Sequence, residues 1–163
     1  MGQASDSTAV AERLIRLPDP AATAALAVAL ARLARPGDVI ALRGDLGAGK
    51  TFFARAFIAE PDVPSPTFTL VQTYDLSEPG GKPRRIWHFD LYRLQSPEEA
   101  VELDIEDAFA EGISLIEWPD RLGPLLPVER LDVELAFGAT PDGRIARLSA
   151  GGSWVARLAE LRP

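Results

Sequence analysis

Short apolar runs separated by turn signals divide this chain into alternating strand and helix candidates. Glu12-Arg-Leu-Ile-Arg-Leu17 alternates polar and apolar positions, as a half-buried strand does. Asp19 and Pro20 then supply an N-cap and a proline suited to the first helical position. Leu26, Leu30 and Leu33 fall on one helical face, which predicts a helix to about Ala34, closed by Pro36-Gly37. Asp38-Val-Ile-Ala-Leu-Arg43 is a compact apolar run fit for a buried strand. Thr51 to Ala59 has helical character and no breaker. Pro61-Asp-Val-Pro-Ser-Pro66 cannot be regular structure.

The second half is richer in strands. Phe68–Tyr74 and Arg85–Tyr92 flank the Glu78-Pro-Gly-Gly turn and read as an antiparallel pair. Ser96, with Glu99 three residues later, has the form of a capping box. Helical segments follow to about Glu111 and end at Gly112. Ile113–Glu117 is another apolar strand. Leu131–Phe137 and Arg144–Leu148 form a strand pair about the Pro141-Asp-Gly turn, and Ser153–Leu161 is a C-terminal helix. Alternation early and paired strands late predict an α/β three-layer sandwich with a mixed, parallel and antiparallel, sheet. Residues 1–10 are small and polar and are expected to be disordered, leaving one domain over 11–163.

Composition narrows the function. At 163 residues and 47% hydrophobic content the chain can build a proper core. It has no cysteine, so disulfides, zinc–thiolate sites and thiol nucleophiles are excluded. No apolar run is long enough to span a bilayer, and the N-terminus lacks a signal-peptide pattern, so a cytoplasmic protein without membrane attachment is expected. A formal net charge of −7 argues against this chain being the main grip on a nucleic acid. The one dense basic cluster, Lys82-Pro-Arg-Arg85, reads as a solvated hairpin end.

Gly44-Asp-Leu-Gly-Ala-Gly-Lys-Thr51 is a complete G-x-x-x-x-G-K-[ST] phosphate-binding loop. It lies between the predicted strand at 38–43 and the helix from 51, where a helix N-terminus adds its positive dipole end. Its backbone amides can cradle phosphate oxygens, Lys50 can reach the β- and γ-phosphates, and Thr51 can ligate Mg²⁺. Mg²⁺ needs further hard oxygens. Asp90 and Glu117 end two predicted strands, and either can serve as a metal or water ligand or as a base. His88, the sole histidine, reads as structural more readily than catalytic, and Tyr92 and Trp118 read as packing residues. The chain contains no asparagine, so it lacks the Asn-Lys-x-Asp guanine reader, which favours ATP over GTP. Kinase signature motifs and an arginine-rich lid are also missing. A small-molecule or nucleoside kinase and a non-hydrolysing nucleotide-binding adaptor are the competing readings.

Four blocks in order carry a family resemblance: the loop at 44–51; Ser65-Pro-Thr-Phe68 with Tyr74; His88-Phe-Asp-Leu-Tyr-Arg-Leu94; and Ile116-Glu-Trp-Pro119. With Thr23 and Gly37-Asp-Val-Ile40, the chain resembles the TsaE family of small bacterial P-loop ATPases of tRNA threonylcarbamoyladenosine synthesis. The resemblance spans roughly residues 20 to 123. It implies that Asp45, Leu46, Gly47, Ala48, Gly49, Lys50 and Thr51 hold the phosphates of ATP, with Thr23, Thr67 and Trp118 also at the nucleotide. Thr51, Asp90 and Glu117 would bind Mg²⁺, and Lys50, Asp90 and Glu117 would carry catalysis. The implied role is slow, partner-stimulated hydrolysis of ATP that supports or resets a TsaD–TsaB-like complex, with tRNA met only through that complex. Neither Arg55 nor Arg93 can be assigned as an arginine finger from the motifs, no role follows for Asp120, and the oligomeric state is left open.

Overall fold

A computed structural model describes residues 10–77, 81 and 83–162. The expected disorder of residues 1–9, the tip of the turn at 78–80 and Lys82 lie outside the described residues. A seven-stranded sheet runs through the molecule in the order β1-β7-β6-β2-β5-β4-β3. The strands are β1 (Ala11–Leu17), β2 (Val39–Arg43), β3 (Val71–Leu76), β4 (Arg84–Asp90), β5 (Ile113–Glu117), β6 (Leu131–Phe137) and β7 (Arg144–Ala150). The central strands β4, β5, β2 and β6 are parallel, and β3, β7 and β1 join at the edges by antiparallel pairing. The mixed sheet expected from the sequence is therefore present. Among the described residues no helix is long and apolar enough to cross a membrane.

Alternation along the strands sorts side chains onto two cores. Ile40 and Leu42 of β2, Ile113 and Leu115 of β5 and Ile86 of β4 meet α1 (Pro20–Leu33) and α2 (Lys50–Ile58). Val39, Ile116 and Phe89 point the other way, against α3 (Glu98–Val101), α4 (Ile105–Glu111) and the 3₁₀ stretch Pro119–Leu125. The Asp19 side chain accepts from the Ala22 amide, the N-cap expected of α1. The last helix, α5 (Trp154–Ala159), is tied to the start of β2. Arg157, almost wholly buried, donates to both Asp38 carboxylate oxygens at 2.5 and 2.8 Å.

Three local expectations need correction. The strand expected from Phe68 begins only at Val71, because the Leu70 amide closes a turn on the Pro66 carbonyl with φ at 67°. The strand expected to reach Tyr92 stops at Asp90, where pairing with Glu117 ends. The capping box is displaced, since Glu99 accepts from the Gln95 amide rather than from Ser96. The basic cluster is also less free than expected. Arg85 pairs with Asp75 across the hairpin, and Arg84 donates to the Ala31 carbonyl of α1.

Candidate functional site

Parallel pairing brings the carboxyl ends of β2, β5 and β4 to one edge of the sheet. Leu42 lies beside Glu117, and Glu117 beside Asp90. The loop at 44–51 leaves β2 at that edge and enters α2. Gly44 approaches β6 so closely that a Cβ would sit 2.5 Å from the Leu135 carbonyl oxygen. Gly47 and Gly49 have φ of +82° and +108°, and a Cβ there would meet nothing nearer than 3.9 Å. The loop is thus open around Gly47 and Gly49 and pressed against β6 at Gly44.

Strand alternation decides which side chains join it. Ile86, His88 and Asp90 share one face of β4, and Ile113, Leu115 and Glu117 share that face of β5, under α2. Thr51, in the first turn of α2, donates to Glu117 Oε1 at 3.0 Å. Thr67 donates to Asp90 Oδ2 at 3.2 Å and lies 2.7 Å from the Ser65 hydroxyl. Asp90 Oδ1 also accepts from the Tyr92 amide at 3.1 Å. Asp90 and Glu117 are 6% and 2% exposed, so these strand-end acids turn inward, not toward solvent.

Lys50 folds back over its own loop. Its ammonium donates to the Gly44 and Asp45 carbonyls at 2.5 and 3.1 Å and stands 4.4 Å from the centre of the Trp118 ring. Burial pushes the Lys50 ammonium below its usual range, against the opposing pull of Glu117, Asp90 and Asp45. Trp118, with φ at 59°, leans on Tyr92 with ring centres 5.0 Å apart. Of the two rings that read as packing residues, Trp118 therefore lines the site, and Tyr92 packs against it.

Two clefts flank the loop. One, of about 260 Å³, is lined by Thr23, Gly47, Ala48, Phe52 and Arg144 among others. The other, of about 410 Å³, lies beside Asp45, Trp118, Asp120 and Phe137. Thr23, far from the loop in sequence, is thereby brought to it. Asp120 pairs with Arg43 at the rim. Arg55 donates to the Val63 carbonyl and Arg93 covers the Phe68 ring, so each has a local structural partner.

One residue escaped the sequence reading. Arg144 donates to the Ala48 carbonyl at 2.9 Å and to the Gly47 carbonyl at 3.3 Å. It begins β7, and only the β6–β7 turn carries it to the loop. No local pattern around Arg144 distinguishes it from the chain's other arginines.

The donor set suits a polyphosphate and a hard divalent cation. Hydroxyl and carboxylate oxygens from Thr51, Thr67, Asp90 and Glu117 gather beside the phosphate loop, with the Lys50 ammonium near them. A strand, this loop and a helix on the parallel centre of a mixed sheet, with acids at the ends of the two next strands, define a P-loop NTPase-type α/β protein.

Comparison with known proteins narrows the class. The family model for threonylcarbamoyl adenosine biosynthesis protein TsaE matches residues 17–144, and the chain belongs to that family. A Rickettsia felis relative named tRNA threonylcarbamoyladenosine biosynthesis protein TsaE is 44% identical over 118 residues, 69% of this chain and 66% of that protein. The matched segment thus spans about two thirds of that relative's length. The Bacillus subtilis protein of the same name is 34% identical over 150 residues, covering 90% of this chain and 91% of that one. The crystal structure of Bacillus subtilis YdiB superimposes with a TM-score of 0.73 at 30% identity, covering 94% of this chain and 95% of YdiB.

Proposed function

We propose that this protein acts in tRNA threonylcarbamoyladenosine biosynthesis as an ATP hydrolase that supports or resets a TsaD–TsaB-like transferase complex. Membership of the TsaE family supports the pathway. The observation that carries the hydrolase reading is the convergence of Thr51, Thr67, Asp90 and Glu117 at the mouth of the loop.

In this reading amides of the 45–51 loop other than that of Ala48, which closes a turn on the Asp45 carbonyl, hold the phosphates, and the Thr23–Arg144 cleft takes the nucleoside. Lys50 leaves the Gly44 and Asp45 carbonyls for the phosphate oxygens. Thr51 and Glu117 would hold Mg²⁺, with Asp90 close by. When bound, Mg²⁺ would neutralise charge on the β- and γ-phosphate oxygens. Asp90, fixed by Thr67 and by the Tyr92 amide, orients the attacking water. Water attacks the γ-phosphorus, the bond from that phosphorus to the bridging oxygen breaks, the water's proton passes to a phosphate oxygen or to solvent, and ADP and inorganic phosphate leave. The charge of −7 fits a subunit that meets tRNA only through its partners.

Phosphate release, measured with and without the TsaD–TsaB pair, tests the proposal. Slow basal turnover that rises with the pair is expected. Equal rates would argue against a stimulated switch. Nucleotide binding without phosphate release in either condition would favour the non-hydrolysing adaptor.

A further inference from the structure

We propose that His88 is a positioning residue for the cation site, holding the Glu117 carboxylate in register with Thr51. The inference rests on the reading that Thr51 and Glu117 hold Mg²⁺.

His88 occupies a position where packing alone favours an apolar side chain. It lies in the middle of β4, is 0% exposed, pairs with Leu115 and follows Ile86 on the face beneath α2. Its Nε2 is 2.8 Å from Glu117 Oε2, and its Nδ1 has no hydrogen-bond partner among the described residues. Because a carboxylate oxygen accepts, the ring proton sits on Nε2 and is donated to Glu117. Among the described residues, the hydrogen bond of the His88 ring is to Glu117.

The geometry explains what the contact does. Both Glu117 oxygens lie within reach of Thr51, and His88 reaches only one of them. Oε2 receives His88, while Oε1 is the nearer oxygen to the Thr51 hydroxyl, at 3.0 Å against 3.3 Å for Oε2. With His88 holding Oε2, the carboxylate is anchored at two donors and Oε1 stays beside Thr51. Without His88, the Thr51 hydroxyl alone defines that orientation. Ligating groups in metal sites are commonly oriented in this way by outer hydrogen bonds, and losing one typically weakens metal affinity about 10–100-fold.

The test uses the full chain with ADP and Mn²⁺ as a spectroscopic substitute for Mg²⁺, reading bound Mn²⁺ by electron paramagnetic resonance. ADP affinity in EDTA is measured alongside. His88→Leu and His88→Asn remove the donor that reaches Glu117. His88→Gln places an amide near the original Nε2. The expected result is a loss of about 10–100-fold in Mn²⁺ affinity for the Leu and Asn variants. His88→Gln recovers most of that affinity, and ADP binding in EDTA stays within about twofold of the unmodified chain. The Asn and Gln variants form a matched polar pair, so the comparison survives if the Leu variant fails to fold. Equal Mn²⁺ affinity in Asn and Gln variants would overturn the proposal, as would parallel losses of ADP binding with and without metal. Glu117→Gln separates the two levels. If it leaves Mn²⁺ affinity unchanged, the cation-site reading falls. If it weakens Mn²⁺ while the His88 variants do not, only the role of His88 falls.

Discussion

Replacing Gly44 by alanine should destabilise the fold more than the same change three residues later at Gly47. Gly44 has φ of +145°, and its added Cβ would lie 2.5 Å from the Leu135 carbonyl oxygen and 3.2 Å from Ala48 Cβ. Ordinary contact begins near 3.4 Å, so loop or strand must give by roughly 0.9 Å. The obstructing atom belongs to the backbone of β6, which is paired with β2 on one side and β7 on the other. Overpacking of this kind costs about 1–3 kcal/mol. The unfavourable backbone angle adds about 1–3 kcal/mol. Together they predict a loss of about 2–6 kcal/mol. At Gly47 the nearest atom is Phe137 Cζ at 4.0 Å, so only the angle cost of about 1–3 kcal/mol applies. Urea denaturation measures both variants. With a slope of about 2 kcal/mol/M, the midpoint should fall by roughly 1–3 M for Gly44→Ala and roughly 0.5–1.5 M for Gly47→Ala, with slopes unchanged. Equal midpoints for the two variants would refute the argument that contact between the loop and β6 decides the difference.

Three further outcomes follow from the same geometry. Asp38→Ala leaves the buried Arg157 guanidinium without its carboxylate, and the loss by chemical denaturation should be about 3–5 kcal/mol; under about 1 kcal/mol would contradict it. Lys50→Ala removes a charged donor to the phosphates worth about 1.5–3 kcal/mol, so calorimetry should find ADP bound roughly 10–150-fold more weakly. Glu117→Gln and Asp90→Asn should each keep nucleotide binding within about tenfold while Mg²⁺-dependent phosphate release drops by about 10² or more. Full turnover in both acid variants would remove them from the hydrolytic site.

The sequence by itself determined the elements and the phosphate loop, because both are written in local order. Turn residues, caps and apolar spacing placed β1, α1, β2, α2 and β5 to within a residue or two. The glycines, Lys50 and Thr51 of the loop are contiguous and carry their chemistry together. Legibility failed where a neighbour in space overrode local preference. Phe68–Leu70 has strand composition, yet the Leu70 amide turns back to Pro66 and its carbonyl accepts from the Asp90 amide. Apart from what the family resemblance implied, only the tertiary structure decided how the distant groups meet at the site. Parallel pairing put Asp90 beside Glu117, and strand alternation turned both under α2 with His88. The β6–β7 turn delivered Arg144 to the loop, and the packing of α1 delivered Thr23. The physical reason is range: capping, turn geometry and strand period act over a few residues, whereas a carboxylate's partner is fixed by strand order and register. The same limit applied to His88. Its residue type suggested a structural role, and only the register of β4 against β5 showed its ring nitrogen meeting Glu117.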